Sequence, residues 1–73
     1  MDSLKKFESA QFYWMASFRA VFPYLDSIPR GCKEISDMCG MSWQKCHRAL
    51  TIASRRGLCR VELVRGTTCY TSP

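Results

Sequence analysis

Gln44, Arg48, Thr51 and Arg55 recur at steps of three and four residues, with Lys45 and His47 alongside. On an α-helix that spacing gathers them on one side. Arg and Gln carry forked groups that match the edges of guanine and adenine in the major groove, and further cations hold phosphates. The chemistry on offer is hydrogen bonding to a polyanion rather than bond making. No enzyme is expected. His47 is the single histidine, its nearest cysteine is its neighbour Cys46, and adjacent helical residues point about 100° apart. Neither a phosphate loop nor a carboxylate constellation accompanies them. The bland alternative for this face is a solvated surface helix.

Five cysteines, Cys32, Cys39, Cys46, Cys59 and Cys69, are the other reactive groups. An odd number and an N-terminus, M-D-S-L-K-K-F-E, without the layout of a signal peptide argue against a disulfide framework. Cys32, Cys39, Cys46 and His47 are conceivable zinc ligands, but six residues separate each cysteine pair and no C-x-x-C occurs. Reduced, structural cysteines are expected, with no metal and no cofactor, because free Cys behaves as a small buried hydrophobe.

The elements that must position the basic face are legible in order. Ser42 is a suitable N-cap for a helix from Ser42 to Arg56, with Met41 before it as a staple on Cys46. Cys46, Ala49, Leu50 and Ala53 form its buried stripe, and Gly57 followed by Leu58 closes it. Upstream, Cys32 to Cys39 reads as a short helix with Ile35, Met38 and Cys39 inward, closed by Gly40. Two helices joined by so short a turn form a helix-turn-helix over residues 32–57. Asp2 or Ser3 caps a first helix over residues 1–22, which Pro23 ends. Its stripe is Leu4, Phe7, Trp14, Phe18, Val21 and Leu25, with Gln11 as a polar gap, and Phe12, Tyr13, Met15 and Phe22 widen it. Tyr24 to Gly31 is a connector in which Ile28 pairs briefly as a strand.

Residues 58–72 change period. Cys59, Val61 and Leu63 alternate with Arg60, Glu62 and Val64, Arg65-Gly66 marks a two-residue turn, and Thr67 to Thr71 returns. Val61 then faces Tyr70, Leu63 faces Thr68, and the hairpin tip carries Arg65, with Thr67 and Thr68 beside it. The expected fold is α+β, mainly α: a winged helix-turn-helix in one domain, residues 1–73, with three helices and a two-stranded wing. Its core should contain Phe7, Trp14, Phe18, Ile35, Cys39, Cys46, Leu50, Ala53, Val61 and Tyr70.

Apolar residues make up 47% of the 73 and charged residues 23%, as in a folded domain. The longest apolar run is too short for a membrane span, and a cytoplasmic, or in a bacterium or phage nucleoid-associated, location is expected. The net charge of +5 is unevenly placed. Residues 1–41 carry five bases and five acids, whereas residues 42–73 carry Lys45, Arg48, Arg55, Arg56, Arg60 and Arg65 against Glu62 alone. Such clustering resembles a nucleic-acid footprint.

The chain resembles the small winged-helix regulators of fimbrial operons, the PapI/FaeA type. It shares the pair Glu34-Ile35 in the second helix, a short turn into the third, and a wing ending R-G-x-x-x-aromatic, here Arg65 to Tyr70. It is also similar to the CaiF/GrlA-type enterobacterial regulators, through the aromatic first helix around Tyr13-Trp14 and the run Ser54-Arg55-Arg56. Its heavier aromatic first helix and its five cysteines depart from the fimbrial pattern. The resemblance implies a transcription regulator acting on double-stranded DNA. From the residues themselves, Gln44, Arg48 and Thr51 are placed at base edges, and Lys45, Arg55, Arg56 and Arg60 at phosphates. Arg65 and Thr67 are placed at the backbone or minor groove, with Ser42, Trp43 and His47 completing the interface. Useful affinity calls for a homodimer through the first helix, or for a co-regulator protein. The competing expectation is a protein-interaction module that docks through the aromatic first helix.

Overall fold

Pro23 ends the first helix. In the structure, a computed structural model that describes residues 14–73, helix α1 covers residues 14–21 and tightens into a 3-10 turn at Phe22–Tyr24. The expectations placed on Asp2, Ser3, Leu4, Phe7, Gln11, Phe12 and Tyr13 lie outside the described residues. Trp14, Phe18 and Val21 are buried one turn apart, and Leu25 follows them inward. Their rings form a short file, Trp14 to Phe18 at 6.4 Å and Phe18 to Phe22 at 5.7 Å, edge to face. In so small a domain, large aromatic side chains supply core volume that chain length cannot.

Helix α2 spans Cys32–Cys39 and helix α3 spans Trp43–Arg55. Both end in the same way. Gly40 (φ 70°) and Gly57 (φ 74°) adopt the left-handed conformation, and the next residue donates back into the last turn. Met41 N–H reaches the Ser36 carbonyl at 3.0 Å, and Leu58 N–H reaches that of Ala53 at 2.9 Å. These are Schellman closures, which satisfy carbonyls that a helix end otherwise leaves unpaired. Ser42 starts α3 by accepting from the Lys45 N–H at 3.4 Å, and Met41 is half-buried against the core. The result is three helices with a tight turn between the second and third.

Three strands complete an α+β winged-helix arrangement: β1 (Arg30–Gly31), β2 (Arg60–Val64) and β3 (Thr67–Thr71), all antiparallel in the order β1-β3-β2. The wing is therefore the larger part of a three-stranded sheet rather than an isolated hairpin. Its inner partner is Arg30–Gly31, not Ile28, which is exposed. An Asp26 carboxylate that accepts from the Ile28 N–H at 2.9 Å and from Arg30 at 2.6 Å turns the chain before the strand. Those two partners hold the Asp26 carboxyl below its ordinary range. Ser72 N–H donates to the Asp26 carbonyl at 2.9 Å, which ties the end of β3 to the same turn.

The core joins α1, α2 and α3 through Val21, Ile35, Cys46 and Leu50, all fully buried, and Tyr70 adds β3 to it. Three positions expected to point inward need correction. Val61 is 50% exposed, because β2 is the outer strand and α2 packs on β1 and β3 instead. Met38 is also exposed; Cys32, Ile35 and Ser36 form the buried side of α2, with Cys39 only half-buried. Leu50→Ala is expected to cost about 2–5 kcal/mol, as for other buried Leu truncations. Met38→Ala should stay within about 0.5 kcal/mol. Chemical denaturation of the two variants beside the parent checks both, and equal losses would show that α3 is not buried through Leu50.

Candidate nucleic-acid interface

Helix α3 turns Cys46, Ala49, Leu50 and Ala53 inward. That leaves Gln44, Arg48 and Arg55 on the opposite side, all exposed. Small residues on the inner stripe let α3 lie close to α2, and two thiols cross the seam. Cys46 Sγ donates to the Cys32 carbonyl at 3.7 Å, and Cys32 Sγ donates to that of Trp43 at 3.8 Å. Cys59 Sγ reaches the Leu50 carbonyl at 3.9 Å from the start of the wing. Sequence reasoning cast these cysteines as hydrophobes and missed their second use, as donors to backbone carbonyls around α3. Burial pushes all three thiols up, and Cys46 reaches about 12 with Cys32 adding to the shift. All five cysteines are free, and among the described residues no group of His, Cys, Asp or Glu is set to hold a metal ion.

The flanks of α3 differ. On the side facing the sheet, Trp43 and His47 stack with ring centroids 4.7 Å apart and planes 14° apart. A shallow hollow beside them is lined by Lys33, Trp43, His47, Thr67 and Thr68. Lys33 escaped sequence reasoning, which placed Thr68 only beside the wing tip. Lys33 was counted into a half of the chain with no net charge, although its place in the first turn of α2 brings it to the start of α3. On the side facing α1, Lys45 and Arg48 share a hollow with Trp14 and Ser17.

Three expected contacts are redirected. Thr51 is half-buried, and its side chain meets the Tyr70 hydroxyl, whose pKa burial raises and Thr51 holds back. It is therefore turned toward the sheet rather than outward. The Arg56 guanidinium lies 5.0 Å from the centre of the Trp14 ring, a cation–π contact that ties the end of α3 to α1. Arg60 stands on the sheet face opposite to Val61 and Tyr70, and so turned away from α3. Arg65 keeps its expected place: it occupies the wing turn with φ 53° and is exposed, next to Gly66 at φ 78°. Ser42 serves as the cap of α3, and Thr67 is exposed beside the turn.

No described helix is long and apolar enough to cross a membrane. Compared with protein-family models, with curated proteins and with solved structures, the chain matches none.

The thiols give a direct check on this geometry. Under native conditions, alkylation should reach half-buried Cys39 first and Cys46 last, as read by mass spectrometry of the peptides. Raised thiol pKa values keep protons on the folded chain that the unfolded chain has lost. Stability should accordingly be full below about pH 9 and fall as pH rises toward the Cys46 value near 12. Rapid alkylation of Cys46 at neutral pH would contradict its place in the seam.

Proposed function

We propose that the protein is a sequence-specific double-stranded DNA-binding regulator of transcription, with α3 in the major groove. The observation that carries this reading is the outer side of α3. Gln44, Arg48 and Arg55 stand exposed on one side of a helix whose other side is anchored by four fully buried residues, and Arg65 extends from the wing. A rigid helix presenting long polar side chains is what direct readout requires. Arg48 and Gln44 read base edges; Lys45, Arg55 and Arg65 hold phosphates. Trp43, half exposed at the first turn and backed by His47, offers an apolar surface to a thymine methyl group. Lys33 and Thr67 flank that end. Thr51, Arg56 and Arg60 are left out of the interface, for the reasons given above. The protein acts in the cytoplasm or nucleoid, as a dimer or with a co-regulator.

A second reading, a protein-docking module, draws on the first helix. Met15 and Phe22 are 37% and 48% exposed, although Phe22 is partly engaged by Phe18. Salt-titrated DNA binding separates the two readings.

The test begins with selection of binding sites from random DNA. On the best site, Arg48→Ala is expected to cost about 1–3 kcal/mol and to relax preference at one base position. Arg55→Ala should weaken all sequences alike and reduce the salt slope by about one. Arg56→Ala should leave the slope unchanged and lower stability by about 0.5–1 kcal/mol, the usual worth of an exposed cation–π contact. Uniform weakening by Arg48→Ala would mean that α3 docks with a different rotation. No selected site and no salt-dependent affinity would replace the DNA reading with the docking one.

A further inference from the structure

Strand β2 carries R-V-E-L-V on the outer edge of the sheet, with no strand beyond it among the described residues. All five residues are exposed, and Leu63 is the most exposed large apolar side chain described, at 72%. Such an edge presents unpaired backbone donors and acceptors, which proteins usually blunt with like charges, proline or a bulge. Proline and a bulge are absent from β2, and its only charged side chains are Arg60 and Glu62. These two charges are opposite in sign and two residues apart, so they share one face.

We propose that β2 pairs antiparallel with β2 of a second copy of this chain, about a two-fold axis at Val61. The backbone selects the register. Val64 and Thr67 flank the two-residue turn and pair with each other, the hydrogen-bonded position of such a hairpin. Alternation along the strand then turns the backbone groups of Glu62 and Arg60 toward β3, and those of Val61 and Leu63 toward the open edge. A self-paired β2 must therefore bond through Val61 and Leu63. With the axis at Val61, Arg60 lies opposite Glu62 of the second copy, and Glu62 lies opposite its Arg60. Both charge pairs are attractive. On the other face Val61 meets its own counterpart, and Leu63 lies opposite Cys59. An axis at Glu62 would set the two glutamates against each other, and an axis at Leu63 would leave Glu62 opposite Val64. Charge complementarity singles out the Val61 axis. The two sheets then join into one of six strands with an isologous contact, and this contact uses no residue kept in the proposed DNA interface.

Sedimentation equilibrium of the full chain, from low to high micromolar concentration and without DNA, tests the proposal. A reversible dimer is expected. Glu62→Arg or Arg60→Glu alone puts like charges opposite each other twice and should weaken the dimer on the order of tenfold or more. The double exchange, Arg60→Glu with Glu62→Arg, should restore it. Val61→Lys should also abolish it, and near-ultraviolet circular dichroism checks that these exposed substitutions leave the fold intact. A parent that stays monomeric throughout would overturn the proposal. So would a dimer that survives Val61→Lys, one lost only on Phe22→Ala, or a double exchange that fails to restore pairing. Because no DNA is present, none of these outcomes depends on the DNA reading.

Discussion

The structure depends on the seam between α2 and α3. Cys32 and Ile35 on one side meet Cys46, Ala49, Leu50 and Ala53 on the other, all buried. Small side chains at most of these positions allow close approach, and Ile35 and Leu50 supply the volume. The thiols of Cys32 and Cys46 sit where a larger residue would force the helices apart, and each still finds a carbonyl. A hydrogen bond from sulfur is weak, so the seam holds mainly by burial. Its orientation is fixed by the Schellman closure at Gly40-Met41 and the Ser42 cap, which leave the chain between Ser36 and Lys45 little freedom. The outer side of α3 follows from this, because a helix fixed on one side has no choice about what it presents on the other.

The aromatic part of α1 closes the seam from outside. Trp14 and Phe18 are buried in the core, and Arg56 at the end of α3 lies over the Trp14 ring. A charge counted as available to a polyanion is in this way engaged within the fold. Exposed cation–π contacts are worth too little to hold a helix by themselves. Their effect here is on the position of a cation rather than on stability, and they draw Arg56 to the α1 side while Arg55, its neighbour, points outward.

Much of this was legible in the sequence because it depends on local chemistry. Ser42, Gly40 and Gly57 mark helix ends through backbone requirements that neighbouring residues alone decide, and α2 and α3 fall where those signals stand. The register of β2 on β3 follows from Arg65-Gly66, since a two-residue turn leaves one pairing. What was not legible depends on partners distant in sequence. Val61 alternates as a half-buried residue does, but period alone does not say that Arg30–Gly31 takes the inner side of β3 and leaves β2 outermost. Thr51 fits the outer face by spacing, yet Tyr70, nineteen positions on, draws it toward the sheet. Met38 fails for a different reason. On an eight-residue helix a shift of one position still gives a plausible apolar stripe, and Ser36, which bonds to the Lys33 carbonyl at 2.8 Å, is buried without being apolar.

Arg60 brings the two surfaces into one argument. Its charge was grouped with α3 because it follows α3 closely in sequence. In the sheet, however, Arg60 shares a face with Glu62, and α3 lies behind the other face. A duplex lying on α3 would have to wrap the sheet edge to meet Arg60, whereas a second β2 meets it without any rearrangement. Removing Arg56 and Arg60 from the interface leaves Lys45, Arg48, Arg55 and Arg65, with Lys33 added at the start of α3. That set is smaller than the sequence count, and it is concentrated on one helix and one turn. A small set of phosphate contacts gives modest affinity for a single domain. A two-fold partner would make the second contact intramolecular and raise affinity without adding a residue to the interface. The edge of β2 and the outer side of α3 are thus separate surfaces: in the proposed regulator, one would determine how many copies are present and the other what each copy reads.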